Sequence, residues 1–292
     1  MGALYGHHGP PLYGRNTGHL KLMPFSARLL KEIFACHSPR HSKADLLALW
    51  TITGGVARYV QLLMDNHAYT QRKMVSCILG GVSSFLDEGR TLLAEEFGPD
   101  YGLYFSVLSE IASGRTTFGE LSNAVGADIG TCLARLENKY GLVRRLVPAF
   151  DKAKSRNSAY SIEDSFLRFW FRFVFKYRGW IELGRHKAVE DVVSRDFEVF
   201  SGWSLERYFR WRFVGEGTYT RIEGWWDRKG ENEIDLVCED EPTGTLDFYE
   251  VKRDARRLDM GVLKEKVEAF FNKNPALRDR KVSCRGLSLR DM

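Results

Sequence analysis

Residues 233–253 read EIDLVCEDEPTGTLDFYEVKR, and this stretch decides how the C-terminal third of the chain folds. Pro242-Thr243-Gly244 sets a turn between two strand-like runs, Glu233–Glu239 and Thr245–Arg253. Asp235 lies inside the apolar run Ile234-Asp235-Leu236-Val237, and Glu250 and Lys252 flank Val251. Side chains alternate along a strand with period two, so Glu250 and Lys252 share a face. Asp235, near the start of the neighbouring strand, reaches that face as well. Two carboxylates converging at a strand end suit Mg²⁺, a hard cation that prefers oxygen ligands. Such an ion stabilises the charge that develops on a phosphodiester, and Lys252 would orient water or neutralise that charge. The expected metal ligands are therefore Asp235 and Glu250. The expected catalytic set is Asp235, Glu250 and Lys252, with Glu206 from the preceding helix as an additional acid. A plain surface ion pair between Lys252 and a carboxylate is the competing reading of the same residues.

Working outward, the pattern predicts a helix over 197–213, a strand over 218–226, a helix over 261–272 and a last strand over 281–285. Together with the two runs above, the order is αβββαβ. The spacing D-x(14)-E-x-K on that order is the arrangement of PD-(D/E)XK nucleases, the restriction-endonuclease-like class.

Residues 98–163 read differently. Helical spacing over 104–112, 118–125 and 129–140, then two short strands over 142–148 and 158–162, make a winged helix-turn-helix. Thr117 with Glu120 forms a capping box, and Asp128 is the expected N-cap of the third helix. That helix carries Arg135 and Lys139 against Asp128 and Glu137. The wing is more basic, with Arg144, Arg145, Lys152, Lys154 and Arg156 against Asp151. Together with Arg135 these are the expected nucleic-acid contacts, made to phosphates rather than to bases. A solvated loop, or a winged helix used for domain packing, is the alternative.

The run FLRFWFRFVFKY over 166–177 is the most apolar in the chain, but it is shorter than the roughly 20 residues of a membrane span. Arg168, Arg172 and Lys176 recur every fourth residue, which on a helix predicts one solvated stripe beside an aromatic face packed between domains. No signal peptide is evident at the N-terminus. Five dispersed cysteines without a CxxC fit a reducing cytoplasm and exclude a zinc ribbon or disulfide scaffold. His7-His8, and Cys36-His37 with His41, lack the second ligand pair of a structural zinc site. The net charge of +5, from 43 Lys+Arg and 38 Asp+Glu, permits nucleic-acid contact without requiring it. No phosphate-binding loop motif occurs in the chain.

Tyr160-Ser161-Ile162-Glu163-Asp164-Ser165-Phe166-Leu167-Arg168-Phe169-Trp170-Phe171-Arg172-Phe173-Val174 resembles a stretch of a prokaryotic AAA+-like ATPase family. Its members carry a C-terminal nuclease-like domain, domain of unknown function 234. Gly202–Glu206, Gly224-Trp225-Trp226, Glu233-Ile234-Asp235 and Glu250-Val251-Lys252 resemble that domain's motifs. Pro11–Arg15 with Thr17-Gly18, and Thr53-Gly54-Gly55-Val56 with Tyr59, are similar to the family's segment after sensor 1 and to its lid. The resemblance implies a multi-domain α+β chain: a helical ATPase-lid remnant over 1–97, a winged helix over 98–163, an aromatic connector over 164–196 and a nuclease-like domain over 197–292. It further implies a chain lacking the N-terminal P-loop domain, binding no ATP alone, with a separate ATPase subunit as an expected partner. The function expected is a Mg²⁺-dependent nuclease-like module acting on DNA. The alternative is a non-catalytic DNA-binding or assembly protein.

Overall fold

The computed structural model describes residues 23–80, 85–86, 89–90, 93, 97 and 101–292. Pro11–Arg15, Thr17-Gly18 and His7-His8 lie outside the described residues. The chain is mixed α+β, with helices predominating and two small sheets.

The helical part begins with α1 (Ala27–His37), α2 (Lys43–Thr53), α3 (Ala57–Asp65) and α4 (Gln71–Leu79). Ser26 caps α1 by accepting from the Leu29 N–H, and Ser42 with Asp45 forms a capping box on α2. Every residue of α2 from Leu46 to Thr53 is buried. A helix that is apolar all round belongs inside, and α2 is the central rod of this part. It ends at Gly54 and Gly55, both in the left-handed region at φ +58° and +80°. Here the backbone passes tightly against two other segments. A Cβ on Gly54 would lie 2.9 Å from Ser165 Oγ, and one on Gly55 would lie 2.5 Å from the Phe25 carbonyl oxygen.

Three further helices follow, α5 (Tyr101–Ala112), α6 (Phe118–Val125) and α7 (Gly130–Asn138). An antiparallel hairpin of β1 (Val143–Leu146) and β2 (Ala159–Ile162) succeeds them. The Thr117–Glu120 capping box forms on α6. On α7 the cap residue is Ile129, not Asp128, whose carboxylate instead accepts from the Gly130 N–H at 3.0 Å. One more residue separates the acid from its helix than the sequence suggests, and its carboxylate still reaches the first helical N–H.

The aromatic run forms α8 (Ser165–Phe169) and then a π-helical turn, Trp170–Phe175. The expected solvated stripe is not there. Lys176 is exposed, but Arg168 stacks 4.1 Å from the Phe200 ring and 4.3 Å from the Trp203 ring, and Arg172 pairs with Asp196 at 3.0 Å. Four-residue spacing does keep these cations on one side. That side packs on the next long helix, so they are half-buried against aromatic faces. After α9 (Arg178–Glu182), α10 runs unbroken for 31 residues, His186–Glu216, through the boundary expected at 196/197.

The second sheet has the order β3-β4-β5-β6, over Arg221–Trp226, Glu233–Asp240, Thr245–Lys252 and Lys281–Ser288. The first two pairings are antiparallel, and β5 with β6 is parallel across α11 (Met260–Lys273). One face packs on α10, with Phe213 against Tyr249 at 5.1 Å. The other packs on α11, where Phe248 and Trp225 meet Phe270.

Gly55→Ala should lower stability by about 1–3 kcal/mol, because it forces a positive φ on a side chain and a collision with the Phe25 backbone. Gly202→Ala, in an α10 position with nothing within 4 Å, should leave the thermal midpoint unchanged or raise it slightly. Thermal melts of the two variants check the pair.

Candidate functional site

The β4–β5 ladder gives out at its acidic end. Its last paired residues are Leu236 and Tyr249, and one step further the Asp235 carboxylate takes the place of a ladder bond by accepting from the Val251 N–H at 2.6 Å. A register shift between Glu223 and Trp225 loosens the other side of β4 at the same level. Asp235 is thereby fixed beside Glu250 and Lys252. Lys252 Nζ lies 2.7 Å from Glu250 Oε1 and 3.5 Å from Asp235 Oδ2, so both carboxylates converge on one ammonium. A second ammonium, from Lys266 on α11, reaches the Glu250 oxygens at 3.0 and 3.2 Å. Glu250 is 5 % exposed, and two cations with good geometry are what a buried carboxylate needs.

Glu206, one helix away on α10, opens into the same space without a hydrogen bond to a described residue. Burial raises its pKa well above the ordinary carboxylate value, and Asp235 and Glu233 push it further, against Lys252 and Arg168. Some of its surface remains accessible where it lines the cavity. Asp235 is raised to about 6, first by burial and then by Glu250 and Glu233, with Lys252 and the Val251 N–H opposing. For Lys252, burial works against the charge, yet Asp235, Glu250 and Glu206 outweigh it and hold the proton more firmly. These shifts share one origin: three carboxylates compete for too few cations in a poorly solvated place.

The space they face is a half-open cavity of about 650 Å³ lined by the end of α5, the β1–β2 hairpin, α10 and the ends of β3 and β4. Carboxylates Glu206, Glu233 and Asp235 line it together with Arg144, Arg207 and Arg210. Arg207 donates to the Glu163 carbonyl oxygen at 2.7 Å and lies 4.9 Å from the Trp203 ring. Desolvation lowers the pKa of both Arg207 and Arg210, and Arg144 adds repulsion to each.

The structure thus gathers Asp235, Glu250 and Lys252 closely and sets Glu206 beside them. It scatters the basic residues expected of the wing. Arg144 and Arg145 both border the cavity, and the Arg145 guanidinium is taken up by its own hairpin, donating to Ser158 Oγ at 3.1 Å, the Ala153 carbonyl at 2.8 Å and the Ser155 carbonyl at 2.5 Å. Lys152, Lys154 and Arg156 are exposed, and Arg135 donates to Tyr104 Oη at 3.3 Å. Sequence reasoning missed Lys266, Glu233, Arg207 and Arg210. One signal was present: Trp203, Glu206, Arg207 and Arg210 follow i, i+3, i+4, i+7 spacing on an aromatic-rich helix, which puts them on one face. Among the described residues no group of three or more His, Cys, Asp and Glu side chains forms a metal cluster. The donors that suit a hard cation are the pair Asp235 and Glu250, all oxygen and already drawn to a shared positive charge.

Because Asp235 prefers to be neutral, the folded state binds its proton more tightly than the unfolded chain does. Stability from this residue is full below the unfolded value near 3.9 and is lost as pH rises through about 6. In metal-free buffer Asp235→Asn should therefore melt higher than wild type at pH 7, and the gain should vanish by about pH 4. Paired thermal melts across that range check it.

Comparison with known proteins follows these elements. A family model described as archaea bacterial proteins of unknown function, domain of unknown function 234, matches residues 170–264, a span that includes Glu206, Asp235, Glu250 and Lys252. An uncharacterized protein of Methanocaldococcus jannaschii is 29% identical over 254 residues, covering 83% of this chain and 54% of the relative. The chain thus spans about half the length of that relative. No solved structure matches. No described helix is long and apolar enough to cross a membrane.

Proposed function

We propose that the chain is a divalent-metal-dependent nuclease-like module in which residues 197–292 carry the site and residues 98–163 form a winged helix beside it. The observation that carries this reading is the convergence of Asp235 and Glu250 on Lys252 at a strand end of an αβββαβ unit. Asp235 and Glu250 would hold Mg²⁺, which when bound supplies charge stabilisation to a phosphodiester under attack. Lys252 stays protonated, so its part is electrostatic. Its Nζ donates to an oxygen that gains negative charge, and it does not act as a base. Lys266 holds Glu250 in place through both carboxylate oxygens while Lys252 turns to the substrate. Glu206 retains its proton above the ordinary carboxylate range and stands as a hydrogen-bond donor over the cavity.

The exposed cations Lys152, Lys154 and Arg156 support a second reading, a DNA-binding protein without catalysis. The two separate cleanly. With Mg²⁺ or Mn²⁺ the purified chain should cut DNA or RNA, and Asp235→Ala and Lys252→Ala should each slow cleavage by roughly 100-fold or more. Cleavage unchanged in both variants rejects the site. Salt-sensitive DNA binding without cleavage, lost on neutralising Lys152, Lys154 and Arg156, would favour the second reading.

Metal binding carries its own pH signature. A proton on Asp235 competes with the ion, so Mn²⁺ affinity measured by calorimetry should fall as pH is lowered through about 6, and should be lost in Asp235→Ala.

A further inference from the structure

Arg210 is largely desolvated and lines the cavity, yet it has no hydrogen bond or ion pair to any described residue. Arg144, across the cavity on β1, has none either. Arg207 stands between them in charge if not in bonding, since it is tied to Glu163. Arg144 lowers the charged form of both Arg207 and Arg210, which are half-buried, while Glu163 and, for Arg210, Glu223 offset part of that repulsion. Arg144 itself is exposed, so Arg144 and Arg210 keep guanidinium donors free for an anion. A guanidinium is planar and forked, which fits the oxygens of a phosphate two at a time.

The remaining walls narrow the ligand. Trp203, Trp211 and Trp226 line the same cavity, all half-buried and so partly open to it. Aromatic faces beside a basic groove are the means by which proteins hold unpaired bases and track their backbone. The volume of about 650 Å³ is that of a small-molecule site, lined by hairpin, helix and sheet. A duplex keeps its bases stacked inside a stiff rod and cannot bring a base and its phosphate into such a space, whereas a single strand can splay both into it. Glu206 lies close to Asp235 and Glu233, whereas Arg210 lies close to Arg144, Arg207, Glu163 and Glu223, so the Asp235 end repels a polyanion until a cation is supplied.

We propose that this cavity seats a single-stranded phosphodiester chain, with Arg144, Arg207 and Arg210 holding the phosphate next to the one presented to Asp235, Glu250 and Lys252, and Trp203, Trp211 and Trp226 flanking its bases. The proposal rests on the nuclease reading for its orientation but not for its binding site. None of the three arginines pairs with Asp235 or Glu250, so binding is measurable without metal or turnover.

The test uses the full chain carrying Asp235→Asn, in EDTA, and fluorescence anisotropy of labelled oligo(dT), oligo(U) and a blunt duplex of equal length. Both single strands, or one of them, should bind roughly tenfold or more tighter than the duplex, the two arms showing whether DNA or RNA is preferred. Arg210→Gln and Arg144→Gln should each weaken single-strand binding by roughly tenfold and flatten its dependence on salt, whereas Lys187→Gln on the outer face should not. Because Arg210 lacks a partner, Arg210→Gln should melt at the same temperature as its parent or higher, so that lost binding cannot be ascribed to unfolding. Duplex binding as tight as single-strand binding, or affinity unchanged in both arginine variants, overturns the proposal. If those variants lose binding while Asp235→Ala still cleaves, the nuclease assignment fails and the cavity stands. If Asp235→Ala abolishes cleavage and the arginine variants bind and cut normally, the cavity assignment fails and the nuclease stands.

Discussion

The cavity exists because residues 147–157 lie against the sheet instead of projecting into solvent. The Ala149 N–H donates to the Gly224 carbonyl at 2.8 Å, at the point where β3 loses register with β4. Asn157 and Trp226 exchange two hydrogen bonds, 3.0 and 3.2 Å. Lys273 reaches Asp151 at 2.7 Å, and Phe150 packs on Phe270 with Arg221 stacked over it. Phe150 sits at φ +67°, a conformation that costs about 1–3 kcal/mol and persists only where packing enforces it. Freed from this seam, the hairpin would carry Arg144 away from α10, and the cavity would lose one wall.

A second constraint comes from α10, which runs along one continuous core. Its buried Val189, Val193, Phe197, Phe209 and Phe213 all belong to that core, which joins the N-terminal helices to one face of the sheet. The face carrying Trp203, Glu206, Arg207 and Arg210 is only partly buried and lies outside it. That face stacks Arg168 on Trp203 and presents Glu206 and Arg210 to the cavity. An unbroken helix makes the angle between the aromatic block and the sheet a matter of helix geometry rather than of a linker. The carboxylate site and the N-terminal helices are therefore held in one frame.

Within that frame the carboxylates are kept partly neutral and the arginines partly unsatisfied. Neither arrangement favours stability. A buried acid that prefers its proton and a cation without a partner both mark places where the fold is organised for something outside itself. Lys252 links the two halves of this tension, since it neutralises Asp235 and Glu250 in the absence of any other cation.

Local rules were enough for much of this. Apolar spacing located α6 and α11 to within a few residues, and the Thr117–Glu120 capping box holds because it satisfies a helix end wherever the helix lies. Strand alternation placed Glu250 and Lys252 on one face, and the turn at 242–244 brought Asp235 back to them. These are short-range consequences of backbone period. The solvated stripe at Arg168 and Arg172, and the free basic wing around Arg145, were not readable in the same way. Whether a cation meets water or an aromatic ring depends on what packs over it: the α10 partners of Arg168 and Arg172 lie 32 and 24 residues further on, and Arg145 is drawn in by carbonyls of its own hairpin loop. The sequence alone determined which carboxylates and lysine could meet. Only the tertiary structure decided that arginines from β1 and α10 would line one half-open cavity with them, because nothing in a one-dimensional period specifies contact between elements so far apart in the chain.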